Sequence, residues 1–151
     1  MPSATIYKIN KKGYLLHADK KTLSGFYTAS SPFIQITEVD ASIITIVNAI
    51  KKVLSVDDSI RVSDPKNWSE FNKEFLKKMG LKSSNELYRE TTFSCVIRKE
   101  NDNIVFTPTE HEKKPKEGFS HKDKNEEITV PYTASNEEIT HAFELALSKC
   151  E

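Results

Sequence analysis

The chain has 151 residues, 37% of them hydrophobic and 29% charged, with a mean hydropathy of -0.53; that length suits one domain able to bury a core without staples, provided its apolar residues are concentrated in periodic stripes. Lysine plus arginine and aspartate plus glutamate each number 22, so no global field draws in a polyanion, which argues against non-specific nucleic-acid binding. Two cysteines, Cys95 and Cys150, are too few for a disulfide framework and fit a reducing cytoplasm; no run of about 18 apolar residues offers a membrane span, and the opening MPSATIYKINKK lacks the apolar centre of a signal peptide.

Residues 5–10 (TIYKIN) and 13–18 (GYLLHA) are short apolar runs separated by Lys11 and Lys12, with Gly13 free to take a positive φ, and read as an opening β-hairpin. Residues 23–28 and 33–37 (FIQIT) read as further strands, split by the turn signal Ser30-Ser31-Pro32. The most apolar run is 40–54 (DASIITIVNAIKKVL), in which Ile43, Ile46, Val47, Ile50, Val53 and Leu54 recur with a 3.6-residue period. Its β-branched cluster favours a strand. Alternation fails at Ile43-Ile44 and again at Ile46-Val47, however, so the spacing predicts a core helix capped by Asp40.

Residues 55–63 (SVDDSIRVS) form a polar connector. Asp64-Pro65 then has the order of a cap followed by a first-turn proline, and Trp68, Phe71, Phe75, Leu76 and Met79 share a helical face. Lys77 and Lys78 complement that helix's C-terminal dipole, and Gly80 with Leu81 has the pattern of a Schellman stop. Ser83 and Glu86 make a capping-box pattern for a short helix through Tyr88.

Residues 91–98 (TTFSCVIR) alternate as a half-buried strand, with Phe93, Cys95 and Ile97 on one face. A turn at 100–103 returns residues 104–107 as its partner, and Pro108 either stops that strand or places it at an edge. Residues 109–127 (TEHEKKPKEGFSHKDKNEE) read as a solvated loop in which Phe119 pins the loop to the body or marks a short strand; 128–131 read as a last strand. Ser135 with Glu138 opens a closing helix on which Ile139, Ala142, Phe143, Ala146, Leu147 and Cys150 repeat at helical spacing. The order strands, helix, helix, strands, helix predicts an α+β fold, a single domain over residues 1–151, with an antiparallel sheet covered on one face by two to three amphipathic helices.

Reactive chemistry is not legible. His17, His111, His121 and His141 lack metal-ligand spacing, so no metal site is expected. His111 beside Glu110 and Glu112, or His121 near Asp123, are acid/base neighbours of the kind that a Lys/Glu-rich loop produces by chance, and read as solvated surface. Cys95 reads as a small packing hydrophobe, because nothing local is electropositive. Gly13, Gly25, Gly80 and Gly118 are never clustered, so there is no phosphate-cradling loop, and neither a catalytic residue nor a cofactor is expected. Tyr7, Tyr14, Phe26, Tyr27 and Phe33 on the early strands leave open an alternative, a single-stranded nucleic-acid-binding face, against which the balanced charge weighs.

In its opening IYKINKKGYLLHADKKTLSGFY, the DPKNW entry to the Trp68 helix, the VFTPT run at 105–109, Gly118-Phe119 and the closing SNEEITHAFELALSKCE, the chain resembles the immunity proteins of bacterial contact-dependent growth inhibition (CDI) systems, over nearly its whole length. The resemblance implies a small cytoplasmic protein that binds and blocks the C-terminal toxin domain delivered by neighbouring cells. Such toxins are frequently nucleases, and the inhibitor itself performs no reaction. It implies a protein partner, with no membrane, nucleic-acid or small-molecule partner, and no family motif transfers contact residues. A nuclease presents a basic cleft, which carboxylates complement. The exposed acidic candidates are Asp57 and Asp58 on the connector and Glu110, Glu112 and Glu117 on the long loop, each of which is otherwise ordinary solvated charge.

Overall fold

The structure is a computed structural model that describes residues 1–89, 92–113 and 116–151. It opens with β1 (Ser3–Ile9), β2 (Gly13–Lys21) and β3 (Tyr27–Ile36), continues through α1 (Ile43–Leu54), α2 (Trp68–Lys78) and α3 (Ser84–Tyr88), and returns to the sheet as β4 (Thr92–Glu100), β5 (Asn103–His111), β6 (Phe119–His121) and β7 (Ile128–Pro131) before closing with α4 (Asn136–Ser148). Among the described residues the seven strands form one sheet, β3-β2-β1-β4-β5-β6 with β7 also on β5. Every neighbouring pair is antiparallel, so the fold is α+β as expected.

Strand alternation divides the core in two. Ala4, Ile6, Leu16, Ile36, Cys95, Ile97, Ile104 and Phe106 point to one face, where α1 (Ile46, Val47, Ile50, Val53) and α4 (Ile139, Ala142, Phe143, Ala146) cover them. Tyr7, Ile9 and Leu15 point to the other face and meet Met79, Leu81, Leu87, Phe75 and Leu76. Helices therefore lie on both faces, not one: α1 and α4 on the first, the C-terminal end of α2 and α3 on part of the second. Periodicity identifies an apolar stripe but not which side of the sheet receives it.

Local signals explain most of the boundaries. The β1–β2 turn uses positive φ at Lys11 and Gly13, and at Gly13 a Cβ would fall 2.1 Å from the carbonyl oxygen of Ile36, so only glycine fits. Gly80, with φ of 70°, follows α2, and the amide of Leu81 donates to Leu76 O at 2.8 Å, which is the Schellman bond. The amide of Glu138 donates to Ser135 Oγ.

Expectations of local structure are corrected as well. The cap of α1 is Ser42, whose side chain accepts from the amide of Thr45, while Asp40 is held in a local turn with Thr37. The cap of α2 is Asn67, because Asp64 bonds Ser24 of the β2–β3 turn instead. Ser31-Pro32 does not end a strand: β3 bulges there, its pairing passing from His17↔Phe33 to Ala18↔Ser30. At the sheet edge the missing N–H of proline does not interrupt a second ladder. Pro108 likewise stands inside β5, at the last position paired with β4. Beyond it β6 takes over as the partner, so the 109–127 segment is only partly a loop, while Phe119 fulfils both readings offered for it, starting that strand and packing against Tyr7 and Tyr88. Thr91, expected to open β4, lies outside the described residues.

Candidate functional site

The second face of the sheet is covered only at one end. Beyond Tyr7 and Leu15 the registers line up Ala29, Asp19, Ser3, Arg98, Val105 and Thr129 across six strands, and among the described residues the apolar cluster under α2 and α3 includes none of them. This open half carries two adjoining hollows. One is lined by Met1, Thr5, Asp19, Tyr27, Val96, Arg98 and His121; the other by Arg98, Glu100, Asn103, Lys124, Glu127 and Thr129. Arg98 separates them.

Its polar groups are internally braced. Arg98 donates to Thr107 Oγ1 at 2.9 Å and to Glu127 Oε2 at 2.8 Å, and the Thr107 hydroxyl in turn donates to Glu127 at 2.7 Å. Burial pushes the Glu127 carboxyl up, but the Thr107 hydroxyl and the Arg98 guanidinium outweigh it and hold the group below its ordinary value. On the other side of Arg98, Asp19 accepts from Thr5 Oγ1 at 2.8 Å and faces His17 Nδ1 at 3.3 Å, while His17 Nε2 lies 3.0 Å from the Tyr7 hydroxyl. Burial first, and the Asp19 carboxylate second, push the Tyr7 phenol well up, so it stays neutral beside the imidazole. His17 is packed between Phe33 and Phe75 and is a core residue.

At the margin of this face stands an apolar patch. The β2–β3 turn is tied to the connector by the Thr22↔Val62 bridge, with Leu23 N to Val62 O and Val62 N to Lys21 O both at 3.0 Å. Ser24 holds Asp64 through both its amide and its hydroxyl. That frame brings Phe26 to 5.4 Å from Trp68, and Trp68 to 5.5 Å from Phe71. Leu23, Tyr27, Phe26 and Trp68 remain 66%, 61%, 44% and 45% exposed. Sequence reasoning missed this patch, since Trp68 and Phe71 continue the same stripe as Phe75 and Met79; only the lie of α2, which meets the sheet with its last turn, leaves its first turn uncovered.

The five acidic residues singled out from the sequence are not brought together. Asp57 lies on the connector, fully exposed, and bonds from the hydroxyl and amide of Ser59 hold its carboxyl below the usual range; Asp58 pairs with the N-terminal ammonium of Met1, itself a wall of the first hollow. Glu110, Glu112 and Glu117 lie at the far end, by β6: Glu110 is paired across from Ser120, Glu112 accepts from the Ser120 hydroxyl, and Glu117 acts on Tyr88.

His17, His111 and both cysteines are held in the structure, whereas His121 and His141 are exposed. His111 is half-buried and tied down: its ring nitrogens meet the carbonyl oxygens of Glu151 at 2.7 Å and Arg89 at 2.8 Å, and its ring lies 4.8 Å from Phe119. Burial pushes the Cys95 thiol well up and the Cys150 thiol up, away from nucleophilic use. No group of three His, Cys, Asp or Glu with metal-holding geometry occurs among the described residues, nor is any described helix long and apolar enough to cross a membrane. Of the early aromatics, Tyr7 is buried and Tyr14 and Phe33 pack on the two cores, so only Phe26 and Tyr27 present faces outward.

Fold and surface together describe an α+β scaffold that offers a half-open sheet face and an aromatic margin. The same fold is found in a protein of unknown function, NMB0488, from Neisseria meningitidis, with a TM-score of 0.72 and 17% identity over 99% of this chain and 95% of that one. It is also found in a chain of the CdiA-CT/CdiI toxin and immunity complex from Yersinia pseudotuberculosis, with a TM-score of 0.63 and 20% identity over 99% of this chain and 97% of that one. No curated protein matches the chain. The model of the CdiI family, CDI immunity protein, matches residues 33–150, and the chain belongs to that family.

Proposed function

We propose that this protein binds the C-terminal toxin domain of a CDI effector in the cytoplasm and neutralises it by occupying its surface, and that the toxin is a nuclease. The family match over residues 33–150 carries the reading. The half-open sheet face supports it: a braced polar surface beside exposed aromatic side chains supplies both the hydrogen-bonding and the apolar parts of a protein contact. Neutralisation then needs shape and charge only, over an interface of about 1,600 Å² in total.

The nuclease assignment rests on carboxylate complementarity to a basic cleft. Asp57 and Asp58 are proposed to supply it: Asp58 pairs with the Met1 ammonium, which walls the same hollow as Tyr27, and Asp57 precedes it in the chain. Glu110, Glu112 and Glu117 lie by β6, at the other end of the sheet, and would need a second contact area.

Co-expression with the C-terminal domain encoded by the adjoining upstream gene tests the proposal. The expected result is a stable one-to-one complex recovered by affinity capture, together with loss of toxicity and of nucleic-acid cleavage. A toxin domain that neither co-purifies nor is silenced would rule the function out. One that is silenced but cleaves no nucleic acid would remove only the nuclease assignment.

A further inference from the structure

Two exposed aromatic side chains from separate segments meet, Phe26 of the β2–β3 turn and Trp68 at the start of α2, and the same turn carries the exposed Leu23 and, next to Phe26 in the chain, Tyr27. We propose that this patch is the apolar anchor of the toxin-binding surface, seating an apolar side chain of the toxin domain beside the Asp19–Arg98 hollow. The inference rests on the neutralisation reading above.

Three observations carry it. First, the patch is built in advance. The Thr22↔Val62 bridge, the paired Leu23 and Lys21 backbone bonds and the Ser24–Asp64 contact fix the turn against the connector, and Asn67 caps α2 directly beneath Trp68. Ordering entropy is then spent in folding and not in binding. Second, Tyr27, which follows Phe26 in the chain, lines the hollow of Asp19 and Arg98, so exposed aromatic surface and hydrogen-bonding groups adjoin, as the apolar and polar parts of a protein interface do. Aromatic residues in such positions carry most of the binding energy.

Third, the charges tied to this region are of both signs: Asp64 is held by Ser24 of the turn and Asp58 pairs with the Met1 ammonium that walls the Tyr27 hollow, while Lys21 Nζ lies 5.9 Å from the centre of the Tyr27 ring. Charge of both signs fits a protein surface and supplies no field for a phosphate chain, so a stacked nucleic acid is the less favoured occupant.

Trp68 is the only tryptophan, so 5-fluorotryptophan labelling gives a single fluorine resonance from the patch. The full chain is titrated with an inactivated form of the upstream-encoded C-terminal domain. The Trp68 resonance is expected to move and to saturate at one equivalent. Phe26→Ala and Leu23→Asp are expected to weaken binding by about 10- to 100-fold while keeping wild-type circular dichroism.

Binding of wild-type strength by both folded variants, with an unmoved Trp68 resonance, overturns the anchor and leaves neutralisation standing. No binding by the wild type sinks the neutralisation reading and the anchor with it. A Trp68 shift with concentration alone, abolished by Leu23→Asp, would make the patch a self-association surface and overturn the proposal.

Discussion

Truncating Phe143 separates the aromatic residues that hold the fold from those that do not. Its side chain is fully buried on α4, with ring centroids 5.8 Å from Tyr14 and 5.9 Å from Phe106, between the helix layer and the sheet. Phe143→Ala removes that contact and leaves a cavity, a loss of about 3–5 kcal/mol. For a chain of this length that lowers Tm by about 6–20 °C, and it consumes much of the total stability of about 5–15 kcal/mol typical of such proteins. Phe26 is 44% exposed, and its aromatic partner is the equally exposed Trp68. Phe26→Ala is therefore expected to cost about 1 kcal/mol or less. Urea unfolding followed by far-UV circular dichroism measures both. A loss below about 1 kcal/mol for Phe143→Ala, or equal losses for the two variants, would refute the division into core and contact aromatics.

Gly13→Ala places a methyl 2.1 Å from the Ile36 carbonyl at a φ of 100°, and the same unfolding experiment is expected to show a loss of at least about 1–3 kcal/mol, the scale of a strained backbone position. The lowered Glu127 carboxyl contributes stability that is fully present above its unfolded value and is lost as pH falls through its folded one. Glu127→Gln should consequently unfold more readily than wild type near neutrality, with the gap closing in acid below the ordinary carboxylate range; a pH-independent gap would exclude the linkage. Burial raises both thiols, so a thiol-reactive dye is expected to leave Cys95 and Cys150 unlabelled in the native state and to label both after denaturation, whereas rapid native labelling would contradict the packing.

Elements whose signals are local were legible in the sequence. The stripe of α1, the closing helix with its Ser135 cap and the Gly80–Leu81 stop all depend on neighbours a few residues away. What was not legible depends on partners far along the chain. Asp64 looked like a cap because nothing near it revealed Ser24 as its partner, 40 residues distant. His111 looked solvated because its two carbonyl partners belong to Arg89 and Glu151. The candidate surface is the extreme case: Trp68 and Met79 share one stripe, yet Met79 is buried and Trp68 is not. That difference is set by where α2 crosses the sheet, and hydrophobic periodicity contains no such information.

The most direct test of neutralisation by occupancy is a titration of the toxin domain's activity with this protein. The expected curve falls linearly and reaches complete inhibition at one equivalent, with the toxin recovered unmodified and active after denaturing separation and refolding. Inhibition at far below one equivalent, or a toxin that stays inactive after separation, would mean that the chain acts by reaction and not by binding, and would contradict the account.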